Sequence, residues 1–448
     1  MKILITSDNH LGFNETDRIR GNDSFNTFEE ILHYIKSENV DLVLQAGDLF
    51  HYNKPSQNTY YKTFQLLKKY ITSNNKNIRF QNISTSSIIP ILAIHGNHDD
   101  PSGFNAISPM DILHASGFIH YFGKFKTLDH IEIEPIILQS NGINIAIYGF
   151  GYIKDRKLFK LVSSNKIIYK KLEGEYYNIL MVHQNRTFHE NEYFPEECIP
   201  SWFDLVIFGH EHSSEKFTTN HFNIIQVGSS VRTSLCEYEK GDKFVYFLEI
   251  ANNQAHITRK KLETVRPLYI DTLKVDDEDY NKKIYEIIQK MLVTIKQENT
   301  DLLPLLRIRI ECSKKYLINK YDLDIYVDGK IANIKDYLKI IKKYKIKENN
   351  VTVPQVNQTT FIDIFHQMLT FFPMKIIDNY ALADGITQFL QKEDKNIFSE
   401  VIEKNKQAIL KYIDIKNIGL ENIDDIIYKA KAEKDSAELQ ELTIKKLK

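Results

Sequence analysis

Five short stretches of this chain run apolar and then turn abruptly to acid, amide or imidazole. "MKILITSDNHLG" presents Asp8 and His10, and "VDLVLQAGDLFH" presents Asp48 and His51. "IPILAIHGNHDD" presents Asn97, His98 and Asp99, "YNILMVHQNR" presents His183, and "FDLVIFGHEH" presents His210 and His212. Carboxylate mixed with imidazole suits Mn, Fe or Zn better than Ca, which prefers all-oxygen shells. Asp8, His10, Asp48, Asn97, His183, His210 and His212 make seven candidate ligands, too many for one tetrahedral ion. They suit two ions that share a bridging carboxylate. Two ions about 3.5–4 Å apart clamp the attacking and leaving oxygens of a phosphoryl displacement, and they lower the pKa of a bridging water towards about 7. A lone histidine at a strand end is more often a satisfied structural side chain. Five loops of one kind argue for a site. His33, His114, His120, His130, His221, His256 and His366 lie outside these motifs and read as structural or exposed.

The positioning elements are legible beside the ligands. Short runs rich in β-branched residues and bounded by Gly and Asn read as buried strands. "INIAIYGFG" and "FNIIQVGSS" read the same way without ligands. In open α/β folds the loops beyond the strand ends converge on one edge of the sheet. Glycines at 47, 96 and 209 suit tight turns that aim the next side chain inward. A length of 448 residues predicts two or three domains. No apolar run approaches the roughly 20 residues that cross a bilayer, and the N-terminus turns polar too early for a signal peptide. The cysteines (Cys198, Cys236, Cys312) are scattered and read as buried small residues in a reduced compartment. A net charge of −1 argues against holding nucleic acid by the overall field. Local patches would have to serve, and "KDYLKIIKKYKIK" (335–347) is either such a patch or a solvated helix face.

In order and spacing, Asp8-Asn9-His10, Gly47-Asp48, Gly96-Asn97-His98-Asp99, His183 and Gly209-His210-Glu211-His212 resemble the signature of the calcineurin-like metallophosphoesterases. "GDLFHYNKPS", "HGNHDDPSG", "DILHASGFIHYFGK", "HQNR" and "QVGSSVRTSLCE" are similar to the eukaryotic double-strand-break repair nucleases of the meiotic recombination eleven family. That resemblance is close over residues 1 to about 262 and loose beyond. It implies an α/β fold: a metallophosphoesterase β-sandwich flanked by helices, with a small α/β cap domain and C-terminal helices. It divides the chain into a nuclease domain (1–262), the cap (263–350), a linker (351–360) and an ATPase-binding helical region (361–448). One ion would take Asp8, His10, Asp48 and His212, the other Asp48, Asn97, His183 and His210, with Asp48 bridging. His98 would protonate the leaving 3′ oxygen, His51 would place the phosphate, and Asp99 would either orient His98 or serve as a turn or N-cap carboxylate.

The activity implied is manganese-dependent 3′–5′ exonuclease and single-strand endonuclease cleavage at DNA ends in nuclear double-strand-break repair and meiosis. Two Mn²⁺ per chain are expected, with Mg²⁺, Fe or Zn left open. Implied partners are DNA ends, an ABC-type coiled-coil repair ATPase and a second copy of the chain; no membrane is implied. Eukaryotic relatives carry a long insertion before the GNHD strand, where this chain has only "NISTSSII", which puts docking of a phosphopeptide-binding regulatory subunit in doubt. Two other readings stand beside this one. A protein serine/threonine phosphatase of the same fold would read GDxVDRG and GNHE, and the arginine that grips a monoester is missing here. A non-catalytic DNA-end-binding scaffold would not need every ligand.

Further along, "RPLYIDTLKV" and "LLPLLRIRIEC" read as strands, and residues 278–296 as a helix with Ile284, Ile287, Ile288, Met291 and Leu292 on one face. Helices over 56–71 and 109–117 carry Phe64, Leu67, Ile112 and Leu113, which the resemblance assigns to a two-fold four-helix contact. "NNVTVPQVNQTT" reads as a linker. Beyond it Leu382, Phe389, Ile402 and Ile409 lie on helical stripes that need a covering surface.

Overall fold

The computed structural model describes residues 1–71, 78–83, 89–102, 104–125, 127, 129–140, 142–186, 193–251, 254–275, 280–297, 301–312, 318 and 320–342. Two sheets form the body. The first runs, edge to edge, Gln254–Lys261, Phe244–Ala251, Lys2–Thr6, Leu42–Ala46, Ile91–Ile94 and His120–Tyr121. The second runs Glu215–Thr218, Asn223–Gln226, Leu205–Gly209, Tyr177–His183, Ile143–Phe150, Ile136–Ser140 and Arg79–Phe80. The central pairings are parallel: Lys2–Thr6 with Leu42–Ala46, that strand with Ile91–Ile94, and Tyr177–His183 with Leu205–Gly209.

The continuous apolar runs have a simple cause. Both faces of the sheets are covered over their central strands, so Leu42–Ala46, Ile91–Ile94 and Leu205–Gly209 are buried at every position, while the edge strands Gln254–Lys261 and Glu215–Thr218 stay largely exposed. Ile3 and Ile5 join Leu42, Leu44, Ile179, Met181, Leu205 and Ile207 in the layer between the sheets. Leu4 and Val43 point the other way, onto Phe25, Phe28, Ile31 and Leu32 of α1 (Asp23–Ser37). On the far face of the second sheet, Leu180, Val182, Val206 and Phe208 pack with Leu158 and Phe203. With α1 stand α2 (Gln57–Tyr70) and α3 (Pro109–Ala115). Ser56 caps α2 by accepting from the Thr59 amide at 3.0 Å, and Ser108 with Asp111 closes a capping box on α3 behind Pro109.

A third sheet holds three parallel strands, Leu268–Val275, Leu305–Cys312 and Leu338–Lys342, with helices Tyr280–Gln297 and Lys320–Val327. Ile284 and Ile288 pack on Leu306, Ile308 and Ile310. Met1–Lys345 is one compact unit and Ile346–Lys448 a second. The linker and the C-terminal helical stripes lie outside the described residues. Among the described residues no helix is long and apolar enough to cross a membrane.

Three expectations change. The lysine-rich run does not present a helix face over its described part: Leu338–Lys342 is a strand beside Leu305–Cys312, its start fixed by the buried Tyr337. Leu67 and Leu113 are buried in their own core, while Phe64 is half-buried and Ile112 exposed. A contact between copies can therefore use only the latter pair of the four. Cys198 is exposed and Cys236 partly so, not buried.

Candidate metal centre

The strand ends deliver the candidate residues to one place. The loop after Lys2–Thr6 is tied to the loop after Leu42–Ala46: the Asp8 amide donates to the Gly47 carbonyl and the His10 amide to the Asp48 carbonyl, each at 3.0 Å. Asp8, His10, Asp48 and His210 all have positive φ, at 49°, 46°, 52° and 84°. Such a backbone costs an L-residue energy and is held only where surroundings over-determine it. The glycines serve close approach as much as turning. A Cβ on Gly47 would strike the His183 ring, and one on Gly96 would strike the Asp48 carboxylate.

Two three-residue clusters result. Asp8, His10 and His212 form one, and Asp48, His183 and His210 the other; within each, the ligand atoms lie within 4.8 Å of one another. Asp48 Oδ2 is 3.4 Å from His183 Nε2 and 3.9 Å from His10 Nε2, so it spans both clusters. Its other oxygen, Oδ1, accepts from the His98 amide at 2.8 Å. Asp8 Oδ1 also lies between clusters, 3.9 Å from His212 Nε2 and 4.0 Å from His183 Nε2. Asn97 Oδ1 is 2.8 Å from His210 Nδ1. All seven expected ligand residues are thus brought together.

Several observations fit a cation. Asp8 Oδ1 and His183 Nε2 are fully buried yet have no hydrogen-bond partner. His183 Nδ1 sits 2.7 Å from the Ala46 carbonyl, so it must donate there, which leaves Nε2 to face the carboxylates. Burial works against a charged His183, but Asp48 and Asp8 push it up to about 9. Burial also raises the Asp8 carboxyl, with the Asp48 charge adding to the effect. His210 is driven down to about 3 by burial and by its charged neighbour His183. Two buried carboxylates that force a proton onto His183 are short of positive charge, and buried charge is tolerated only when paired. Nitrogen and oxygen donors without thiolate suit a hard or borderline divalent ion.

His51 and His98 stand beside the clusters. Their rings stack at 4.9 Å, and His98 Nδ1 lies 2.8 Å from the His51 carbonyl. With His10 they form a third group whose nitrogens lie within 4.8 Å of one another. Burial lowers His51 to about 4, with His98 next in effect. Of the two readings of Asp99, the geometry favours the turn carboxylate. It accepts from the Gly96 and Phe50 amides at 2.7 and 3.2 Å and so braces the loop, while the His51 carbonyl meets the His98 ring. Burial, then Asp48, raises Asp99 to about 7.

Sequence reasoning missed three residues. The ring of Tyr152 stacks on His210 at 5.8 Å. Glu239 accepts from His212 Nδ1 at 2.7 Å, and Lys243 reaches Glu239. Tyr152 does follow Gly151 at the end of Ile143–Phe150, but as a tyrosine among ligand residues it was passed over, while Glu239 and Lys243 lie in a separate segment that meets His212 only in the fold.

The family pattern described as calcineurin-like phosphoesterase matches residues 1–214. The double-strand break repair protein MRE11 of Encephalitozoon cuniculi is 33% identical over 487 residues, covering 97% of this chain and 85% of that protein. The chain belongs to the MRE11 family. The Homo sapiens MRE11 is 30% identical, covering 93% of this chain and 67% of its own length, and that of Coprinopsis cinerea is 30% identical, covering 98% and 72%. Membership and the two clusters together make this chain a metal-dependent hydrolase of nuclease type. The sandwich with flanking helices is the fold of the calcineurin-like phosphoesterases.

Proposed function

We propose that this MRE11-family chain is a manganese-dependent DNA phosphodiesterase that trims 3′ ends and cuts single strands at DNA breaks in the nucleus. The observation that carries the reading is the pair of buried, unpartnered atoms, Asp8 Oδ1 and His183 Nε2, set between two ligand clusters that Asp48 joins. Asp8, His10, Asp48 and His212 would hold one ion, and Asp48, Asn97, His183 and His210 the other. Such ions supply a water of lowered pKa and positive charge for the phosphoryl oxygens.

The remaining steps fall to side chains. His98 acts as general acid towards the leaving 3′ oxygen, since its Nδ1 is spoken for by the His51 carbonyl and its other nitrogen is left for the proton. His51, stacked on it, places the scissile phosphate. Asp48 Oδ1, held by the His98 amide, ties acid and bridge into one loop. A diester is favoured because the loop from Gly47 to Asn53 lacks the arginine that the GDxVDRG motif of protein phosphatases of this fold carries. Residues 1–262 would carry the cleavage, 263–350 would cap it, 351–360 would link, and 361–448 would dock an ABC-type ATPase. A second copy of the chain is the other expected partner. Fe, Zn and Mg²⁺ compete with Mn²⁺ as the resident metal.

Incubation with end-labelled linear duplex and single-stranded DNA, in Mn²⁺ or in chelator, tests the reading. Mn²⁺-dependent release of nucleotides from 3′ ends is expected. Binding of ends without cleavage would point to a scaffold instead. Release of phosphate from a phosphoserine peptide, with DNA left intact, would point to a phosphatase.

A further inference from the structure

The histidines around the two clusters are not held alike. His183 leans on the Ala46 backbone carbonyl and His210 on the Asn97 amide oxygen. His212 leans on a carboxylate, Glu239, at 2.7 Å. Glu239 is 1% exposed and belongs to a short 3₁₀ turn, Glu237–Glu239, that no ligand motif touches. Its second oxygen meets Lys243 Nζ at 2.5 Å and Ser229 Oγ at 3.3 Å. Lys243 is 2% exposed. It donates also to the His212 backbone carbonyl at 2.9 Å and to Ser229 Oγ at 2.8 Å. Thr233 closes the group, its amide and hydroxyl each 3.2 Å from Glu239 Oε1.

We infer that the buried Glu239–Lys243 pair is a positioning element for the ion of the Asp8–His10–His212 cluster, and that it strengthens that site selectively over the other. The inference rests on the two-ion reading given above. The argument is geometric. Glu239 takes the Nδ1 proton of His212, which fixes the tautomer and turns the Nε2 lone pair towards Asp8 and His10. A carboxylate on the far nitrogen also makes the near nitrogen a stronger donor than a neutral carbonyl does. Lys243 holds the same histidine by its backbone, so ring and main chain are gripped from two sides. It also offsets the charge of Glu239, whose burial unpaired would be costly. Among the described residues, His183 of the other cluster has the neutral Ala46 carbonyl behind it, and His210 Nδ1 meets Asn97, itself assigned to the same ion. The ligand sets differ already, with two carboxylates (Asp8, Asp48) on this ion and one carboxylate with the neutral Asn97 on the other, and the group behind His212 adds to that difference. Groups of this kind are worth about 10–100-fold in metal affinity.

The test is Mn²⁺ titration of the metal-stripped full chain by calorimetry, with Mn²⁺ paramagnetic resonance to count bound ions. Wild type should bind two ions with separable affinities. Glu239→Gln keeps the shape and an acceptor oxygen but removes the charge. It should weaken one site about 10–100-fold and leave the other unchanged. The double variant Glu239→Gln with Lys243→Met removes both charges, so no lone charge remains to unfold the chain, and it should weaken the same site. Its melting temperature in chelator serves as the fold control. The proposal is overturned if either variant, folded by that control, binds both ions as wild type does. It is overturned equally if both sites weaken together, which would mark a merely structural role. A wild-type count of one ion takes down the two-ion reading and this proposal with it, and is seen before any variant is compared.

Discussion

A residue's role here is set by what stands behind it as much as by its type. Asp48 is the clearest case: one oxygen is fixed by the His98 amide, and the other faces His183 and His10, one from each cluster. Asp48→Ala should therefore cost both ions, whereas His212→Ala should cost mainly one; metal analysis after dialysis separates the outcomes, and two full equivalents in Asp48→Ala would refute the bridging role. His98 is placed differently. Its backbone serves Asp48, which any residue can do, and its ring serves the substrate. His98→Leu should keep fold and metal content but lose about 10²–10⁴-fold in phosphodiester cleavage. Unchanged turnover on a DNA substrate with its natural leaving group would end the general-acid assignment. The seven ligand positions were legible because each follows an apolar strand and a polar turn. Glu239 was not, because it meets His212 across 27 residues of chain and only in the folded state. Asp99 stayed open between two roles, since closeness in sequence to His98 suggested one and only the fold shows its carboxylate on the Gly96 and Phe50 amides.

Strands were easier to foresee than their neighbours. Residues such as Ile3, Leu4 and Ile5 are apolar on both faces because both faces are covered, and such runs announce themselves. Pairing is another matter. Phe244–Ala251 lies antiparallel to Lys2–Thr6 with Leu248 opposite Ile3, a partnership that no local pattern encodes. The strand Leu338–Lys342 was hidden by its lysines, since an edge strand is defined by the partner it meets and can carry charge on its open side. The passage from the sandwich to the three-stranded module is held by α1. Glu30 accepts from the Glu263 amide, the Thr264 amide and the Thr264 hydroxyl at 2.9, 2.9 and 2.6 Å. Burial alone would raise this carboxyl, but those hydrogen bonds and one from Tyr34 hold it below its ordinary 4.5. A depressed folded-state pKa means the clamp is at full strength above the unfolded value and is lost as pH falls through the folded one. Glu30→Gln should therefore lower stability at pH 7, by about 1.5–3 kcal/mol on the scale of charged hydrogen bonds. Urea midpoints of mutant and wild type should converge as pH drops below 4.5. A gap that stays constant well below pH 4.5 would show that the carboxylate charge contributes nothing to the clamp.

At the scale of the whole chain, chemistry and assembly look separable. All the candidate site residues and every described core layer lie within Met1–Lys345, the first of the two compact units. A net charge of −1 gives DNA no general attraction, so work on duplex ends should depend on partners and local contacts more than on the field of this chain. Apolar stripes of the kind the sequence carries after residue 381 are costly to leave exposed. Deleting residues 351–448 should leave Mn²⁺-dependent cleavage of short single strands close to the full-length rate. The same deletion should abolish binding to an ABC-type ATPase and any ATP-stimulated cutting of duplex ends. Parallel assays of cleavage, thermal unfolding and ATPase pull-down distinguish the possibilities. If the shortened chain melts well below the full one, the stripes belong to the core of the nuclease unit. If it keeps its melting temperature and still binds the ATPase at full affinity, the docking surface lies within residues 1–350, and the C-terminal helices serve some other contact.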